Sequence, residues 1–166
     1  MTIGKVVVVL TTLTITSCSQ SNDQTKALQL RIDSLESKLA ASYKPGFGEF
    51  MSSIQIHHNK LWFAGLSNNW KLADFEIKEI KEVVEAIETY QTEREESQQI
   101  AMIKPILDSV ETSIQQNDLM SFKKSYIALT ANCNNCHQAT HFEFNLVKIP
   151  DHPPFSNQEF FIQSTK

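Results

Sequence analysis

The chain has 166 residues, 41% of them apolar, which is room for one compact domain but not comfortably for two. Its 15 Lys and Arg against 19 Asp and Glu give a formal charge of −4, so no polyanion-binding surface is indicated and nucleic acid is not an expected partner. Four glycines and five prolines, in a sequence rich in Glu, Lys, Gln, Leu and Ile, favour helices over strands.

The first stretch, MTIGKVVVVLTTLTITSC, has one cation at Lys5 and an apolar run from Val6 to Leu10 that extends weakly through Leu13 and Ile15. It is too short for a spanning helix and reads as an export signal over 1–17. Its end, Ile15-Thr16-Ser17-Cys18, resembles the bacterial lipobox, which implies that Cys18 becomes the acylated first residue of the mature protein. The competing reading is an ordinary signal peptide with a free thiol at Cys18. Three acyl chains exceed the two-chain threshold for stable anchoring, so the lipidated protein is expected on a membrane of the bacterial cell envelope. Ser19, not Asp, follows the cysteine, which by analogy favours the outer membrane.

Residues 18–44 are expected to form a tether followed by a helix. Ser19 to Thr25 are polar and short. Leu28, Ile32, Leu35 and Leu39 then recur at spacings of four, three and four, a coiled-coil-like stripe over 28–39. It serves as a stalk, as a homodimer contact, or as an amphipathic helix lying on the domain; so few heptads do not choose.

Pro45, Gly46 and Gly48 break that helix, and the domain is expected over 45–166. FGEFMSSIQIHHNKLWFAG supplies its first helix, and Ser67, Asn68 and Asn69 end it and cap the next. The second helix is expected from about Trp70 to Glu93, with Ala73, Ile77, Ile80, Val84 and Ile87 inward and Lys and Glu outward. The third lies between about Gln98 and Gln116, with Pro105 as a kink or as its true first turn. Asn117 or Asp118 caps a fourth, lined by Leu119, Phe122, Tyr126 and Leu129, which runs straight into Cys133. Helices with one apolar face each and short connections predict an all-α, antiparallel four-helix bundle. The tail after His137, with Pro150, Pro153 and Pro154, is expected to be an irregular arm packed partly over the bundle.

Lipidation of Cys18 would consume one of three cysteines and leave the pair in CNNCH, Cys133 to His137. In C-x-x-C-H the two thiols stand about one helical turn apart and can add to the two vinyl groups of one haem, with the next residue's imidazole facing the iron. Such attachment takes place outside the cytoplasm, where the export signal sends the chain. A zinc site needs a further ligand, for which only His141 and His152 offer themselves. A redox dithiol belongs at a helix start after a strand, and here the motif follows a helix.

With this motif the chain resembles the class II c-type cytochromes, cytochrome c-prime and its low-spin relatives, over roughly Phe47 to His141. HHNKLWFAGLSNNWKLADFE is also similar to stretches of small bacterial haem lipoproteins. The resemblance implies a four-helix bundle with one covalent haem c on its last helix. Family members usually end soon after the motif, whereas residues 138–166 follow it here. In the low-spin relatives a methionine early in the first helix ligates the iron; in cytochrome c-prime an apolar side chain stands there and the iron is five-coordinate.

The matching region offers Met51, His57 and His58. Met51 and His58 are seven residues apart, about 700° of rotation, so they face the same way roughly 10 Å apart along the axis and only one can reach the iron. Each also has a plainer reading, Met51 as core filler and His58 as a buried, hydrogen-bonded histidine. Met51 is the ligand the resemblance favours and His58 the alternative. Tyr126, Trp62, Trp70 and Phe122 are candidate haem neighbours or ordinary core. The expected function is a monohaem electron carrier, not an enzyme, passing single electrons between redox protein partners in the periplasm or at the surface. The alternative is a five-coordinate haem protein binding NO or CO. A peroxidase-like activity is third, having only the His57-His58 pair as acid and base.

Overall fold

From residue 45 onward, apolar residues recurring every three to four positions let the long helices bury one side. The computed structural model describes residues 17–42 and 45–162, which form helices and irregular segments and, among the described residues, no strand. The expected export signal falls on residues 1–17, of which 1–16 lie outside the described residues, as does the side chain of Cys18. The chain divides into two compact units, one up to Lys44 and one from Pro45 onward.

The first unit contains α1, Ser17–Ser42. The polar stretch 19–25, expected as a tether, is part of this helix. Nothing from Ser17 to Ser42 is Gly or Pro, so continuing the helix costs only small differences in side-chain propensity. The stripe of Leu28, Ile32, Leu35 and Leu39 is solvent-exposed. Among the described residues no helix is long and apolar enough to cross a membrane.

The second unit carries α2 (Phe47–Leu66), α3 (Trp70–Tyr90), the single-turn α4 (Glu95–Gln99), a 3₁₀ segment (Ile100–Ile103), α5 (Lys104–Gln115) and α6 (Leu119–Ala139). Helix α2 packs on α3, α3 on α5, α5 on α6 and α6 back on α2, a helical bundle. The inward stripe of α3, Ala73, Ile77, Ile80, Val84 and Ile87, is at most 1% exposed. It meets Leu61 and Ala64 of α2, Leu107 and Val110 of α5, and Phe122, Tyr126 and Leu129 of α6 in one core. Each of these side chains larger than alanine contributes about 1.5–3 kcal/mol by leaving water.

Two departures have local causes. The third helix is not continuous from Gln98. Pro105 has no N–H and its ring collides with the carbonyl four residues back, so the α-helix restarts with Pro105 in its first turn and 100–103 tighten to 3₁₀. The outer face of α3 is not wholly exposed either. Glu76 is fully buried against α2, with Oε2 2.7 Å from His57 Nδ1 and Oε1 2.6 Å from Lys60 Nζ.

Three helices end alike. Asn68, Asn117 and His141 have positive φ of 53°, 53° and 64°. In each case the next amide donates back five residues, from Asn69 to Ala64, Asp118 to Ser113 and Phe142 to His137. This is the Schellman closure, which satisfies orphan carbonyls and reverses the chain. Asn69 and Asp118 then cap α3 and α6 with their side chains, Asn69 accepting from the amide of Leu72 and Asp118 from those of Met120 and Ser121.

After α6 the chain from Thr140 to Ile162 forms no helix or strand. It returns over the domain all the same. Phe160 is buried, its ring 5.8 Å from that of Phe63, and its carbonyl accepts from Asn69 Nδ2 at 3.1 Å.

Candidate functional site

A cavity of about 680 Å³, within the usual range for small-molecule sites, lies between α2, α6 and the C-terminal arm. Its wall brings together Met51 and His58 from α2 with Cys133, Cys136 and His137 from α6. Ile54, Ile100 and Ile103 supply apolar wall, and Phe142, Leu146 and Val147 of the arm close the other side. The thiols are one turn apart because α6 stays regular through the motif to Ala139.

Cys133 and Cys136 are free thiols. Burial, with the neighbouring Cys136 sulfur adding to it, pushes the Cys133 thiol up to about 12, and burial also raises that of Cys136. Both stand in the last two turns of α6, where the negative end of the helix dipole opposes a thiolate. A dithiol catalyst needs the opposite environment. Among the described residues no three of His, Cys, Asp and Glu converge as a metal-ion ligand set. His141 is exposed at the helix end, and His152, exposed, pairs with Asp151.

His137 is half-buried, and its Nδ1 lies 2.5 Å from the carbonyl oxygen of Asn145. A carbonyl only accepts, so Nδ1 carries a proton, and in the neutral ring Nε2 is then the nitrogen with the lone pair. That is the tautomer and the outer hydrogen bond expected of a metal-ligating histidine.

His58 is 4% exposed, and both its nitrogens are engaged. Nδ1 is 3.0 Å from the Tyr126 hydroxyl and Nε2 is 3.0 Å from Thr130 Oγ1. Burial pushes the imidazole down to about 4, so the ring is neutral at pH 7, with one nitrogen donating and the other accepting. Met51 carries no such obligation. Its partly buried thioether packs at the edge of the core and lines the cavity. His57, one residue from His58, faces away to Glu76.

Tyr126 does not line the cavity. It is fully buried, stacked on the His58 ring at 4.6 Å and tilted against Trp62 at 4.7 Å. Phe122 lies between Trp62 and Trp70, with ring centroids at 6.2 and 6.0 Å. Phe122 and Tyr126 belong to the core, and Trp62 and Trp70 pack against it, partly buried.

Several residues of the site carried no signal of their own in the sequence. Asn134, between the thiols, donates from Nδ2 to the Val147 carbonyl at 2.9 Å and accepts at Oδ1 from the Val147 amide at 2.8 Å. Arg94 and Lys148 stand at the cavity with their acids. Arg94 lies over the Phe47 ring and pairs with Glu96 at 2.8 Å, and Lys148 pairs with Asp151 at 2.8 Å. Cysteine and histidine spacing can reveal the donors, but nothing in it says which loop will be pinned across them. Comparisons of the chain with protein-family models, with curated proteins and with solved structures give no match.

Proposed function

We propose that the chain is a membrane-anchored, monohaem c-type cytochrome that passes single electrons between redox protein partners and is not an enzyme. The observation that carries this reading is that Cys133, Cys136, His137 and Met51 share the wall of one largely apolar cavity, with His137 Nδ1 held by the Asn145 carbonyl. A covalent haem would supply a one-electron centre there. Cys133 and Cys136 would hold it through thioethers, His137 would ligate its iron, and Met51 is favoured over His58 as a second ligand. His58 would have to surrender Tyr126 or Thr130 to ligate. Thiols whose pKa is raised by partial burial weigh against a redox disulfide, and among the described residues no ligand set converges for zinc.

The finer architecture belongs to the same reading. Short connections at 67–69 and 116–118 make α2, α3, α5 and α6 an antiparallel four-helix bundle of the class II cytochrome type. The leader and Cys18 make it a lipoprotein of the bacterial cell envelope, facing the periplasm or the surface. The exposed stripe 28–39 gives α1 the means to act as a stalk or to pair with a second copy.

The test is to express the chain with its leader in a bacterium that attaches haem c, and to measure the mass of the intact protein and its optical spectrum in both redox states. A mass increased by one haem, lost in the Cys133→Ala, Cys136→Ala double variant, and a low-spin spectrum are expected. A chain of unmodified mass from such a host rejects the reading. A high-spin protein that binds CO or NO at once makes it a gas-binding protein instead.

A further inference from the structure

We propose that Asn134, one of the two residues between the thiols, is a positioning residue that fixes which ring nitrogen His137 presents to a metal. The proposal rests on the preceding reading only in naming haem iron as that metal.

The Asn145 carbonyl that holds His137 Nδ1 belongs to a segment with no helix or strand to keep it in place. Two attachments do so. Upstream, the amide of Phe142 donates to the His137 carbonyl at 2.7 Å, and that of Asn145 closes a turn onto Phe142 at 2.9 Å. Downstream, Asn134 grips both backbone groups of Val147, as a neighbouring strand would. Asn134 and His137 are three residues apart on α6 and so share a face. The amide of Asn134 is therefore the side-chain anchor for a loop whose middle residue aims its carbonyl at the imidazole. Only a primary amide of this length both donates and accepts at that point; Asp lacks the donor and Leu, of similar shape, lacks both. A ring that donates from Nδ1 is a better electron donor through Nε2 and stabilises the ferric state.

The test compares Asn134→Leu with Asn69→Asp. The latter loosens the same arm at Phe160 but keeps the oxygen that caps α3. In the full chain with Cys133 and Cys136 replaced by Ser, its folding checked by circular dichroism, ring ¹⁵N spectra should show His137 as the Nδ1–H tautomer. Asn134→Leu should lose that preference and Asn69→Asp should retain it. If the serine background does not fold, the exchange rate of the His137 Nδ1 proton in the reduced, purified protein reads the same bond and should rise only in Asn134→Leu. In the haem-carrying protein Asn134→Leu should raise the reduction potential, with Asn134→Asp intermediate. An unchanged tautomer in Asn134→Leu, or an equal change in Asn69→Asp, overturns the clamp. A shifted tautomer with an unshifted potential overturns its bearing on the iron. Because the tautomer is read without haem, failure of the clamp and failure of the cytochrome reading are told apart.

Discussion

The Tyr126 hydroxyl lies 2.7 Å from the His58 backbone carbonyl and 3.0 Å from Nδ1 of the same residue, so one side chain of α6 satisfies both the backbone and the ring of a histidine buried in α2. Without it the imidazole would keep an unpaired nitrogen in an apolar wall. Tyr126→Phe retains the ring stacking and deletes only the hydroxyl, and should destabilise the fold by about 1–3 kcal/mol, read as a lower denaturant midpoint at unchanged m-value. An unchanged midpoint would mean that water or another group satisfies the imidazole.

The same burial makes stability depend on pH. The His58 pKa falls from 6.5 to about 4 on folding, so between these values the unfolded chain binds a proton that the folded chain refuses. The unfolded state then holds more protons, and stability must drop as pH falls. The contribution is complete above about pH 6.5 and is lost progressively down to about pH 4, up to roughly 3 kcal/mol in all. Denaturant midpoints taken across this window should show the slope in the native protein and a flatter line in His58→Gln. Equal slopes in both would place the titration elsewhere.

Gly65 of α2 lies directly beneath Phe122 of α6. A Cβ built at position 65 would come within 2.1 Å of the Phe122 ring. Ala is the better helix former by about 1 kcal/mol, yet Gly65→Ala should destabilise by about 1–3 kcal/mol because the fully buried ring has nowhere to move. Adding Phe122→Leu should recover part of the loss, a coupling visible in a double-mutant cycle. A stabilised Gly65→Ala would show that the helices can separate there without cost.

The residues at Gly65 and Phe122 illustrate what the sequence discloses. Both helices are legible from their apolar period, and the inner stripe of α3 matches its buried apolar residues. The contact between them is not legible, since it depends on how two helices 57 positions apart cross. The same holds for Glu76, placed outward by its charge but buried through His57 and Lys60, whose spacing on α2 gave no hint of a partner on α3. The third helix was readable as apolar periodicity, but the break before Pro105 needed the choice between kink and first turn that local chemistry left open. In the cavity, Cys133, Cys136 and His137 are legible from donor type and spacing, while Met51 and His58 are singled out by the family resemblance and share a face by helical spacing. Asn134, Asn145 and Val147 do not, because an irregular arm has no period from which its register could be read.

If the protein carries the proposed haem, its ferric spectrum separates Met51 from His58 as iron ligand. Both line the cavity, but they differ in what each would leave behind. A thioether carries no strong hydrogen bond and adapts through three rotatable bonds, so recruiting Met51 costs a rotamer. Recruiting His58 breaks its bond to Tyr126 or Thr130, at about 0.5–1.5 kcal/mol, with each hydroxyl keeping a backbone carbonyl as partner. The ferric protein should therefore show the weak red charge-transfer band of thioether ligation. Met51→Ala should abolish that band and open the iron to CO, while His58→Gln should leave the band in place and lower stability. The reverse pattern, with no such band in a low-spin spectrum and CO binding created only by His58→Gln, would assign His58. Paired histidines would also give a lower potential than histidine with methionine, because neutral sulfur favours the ferrous state.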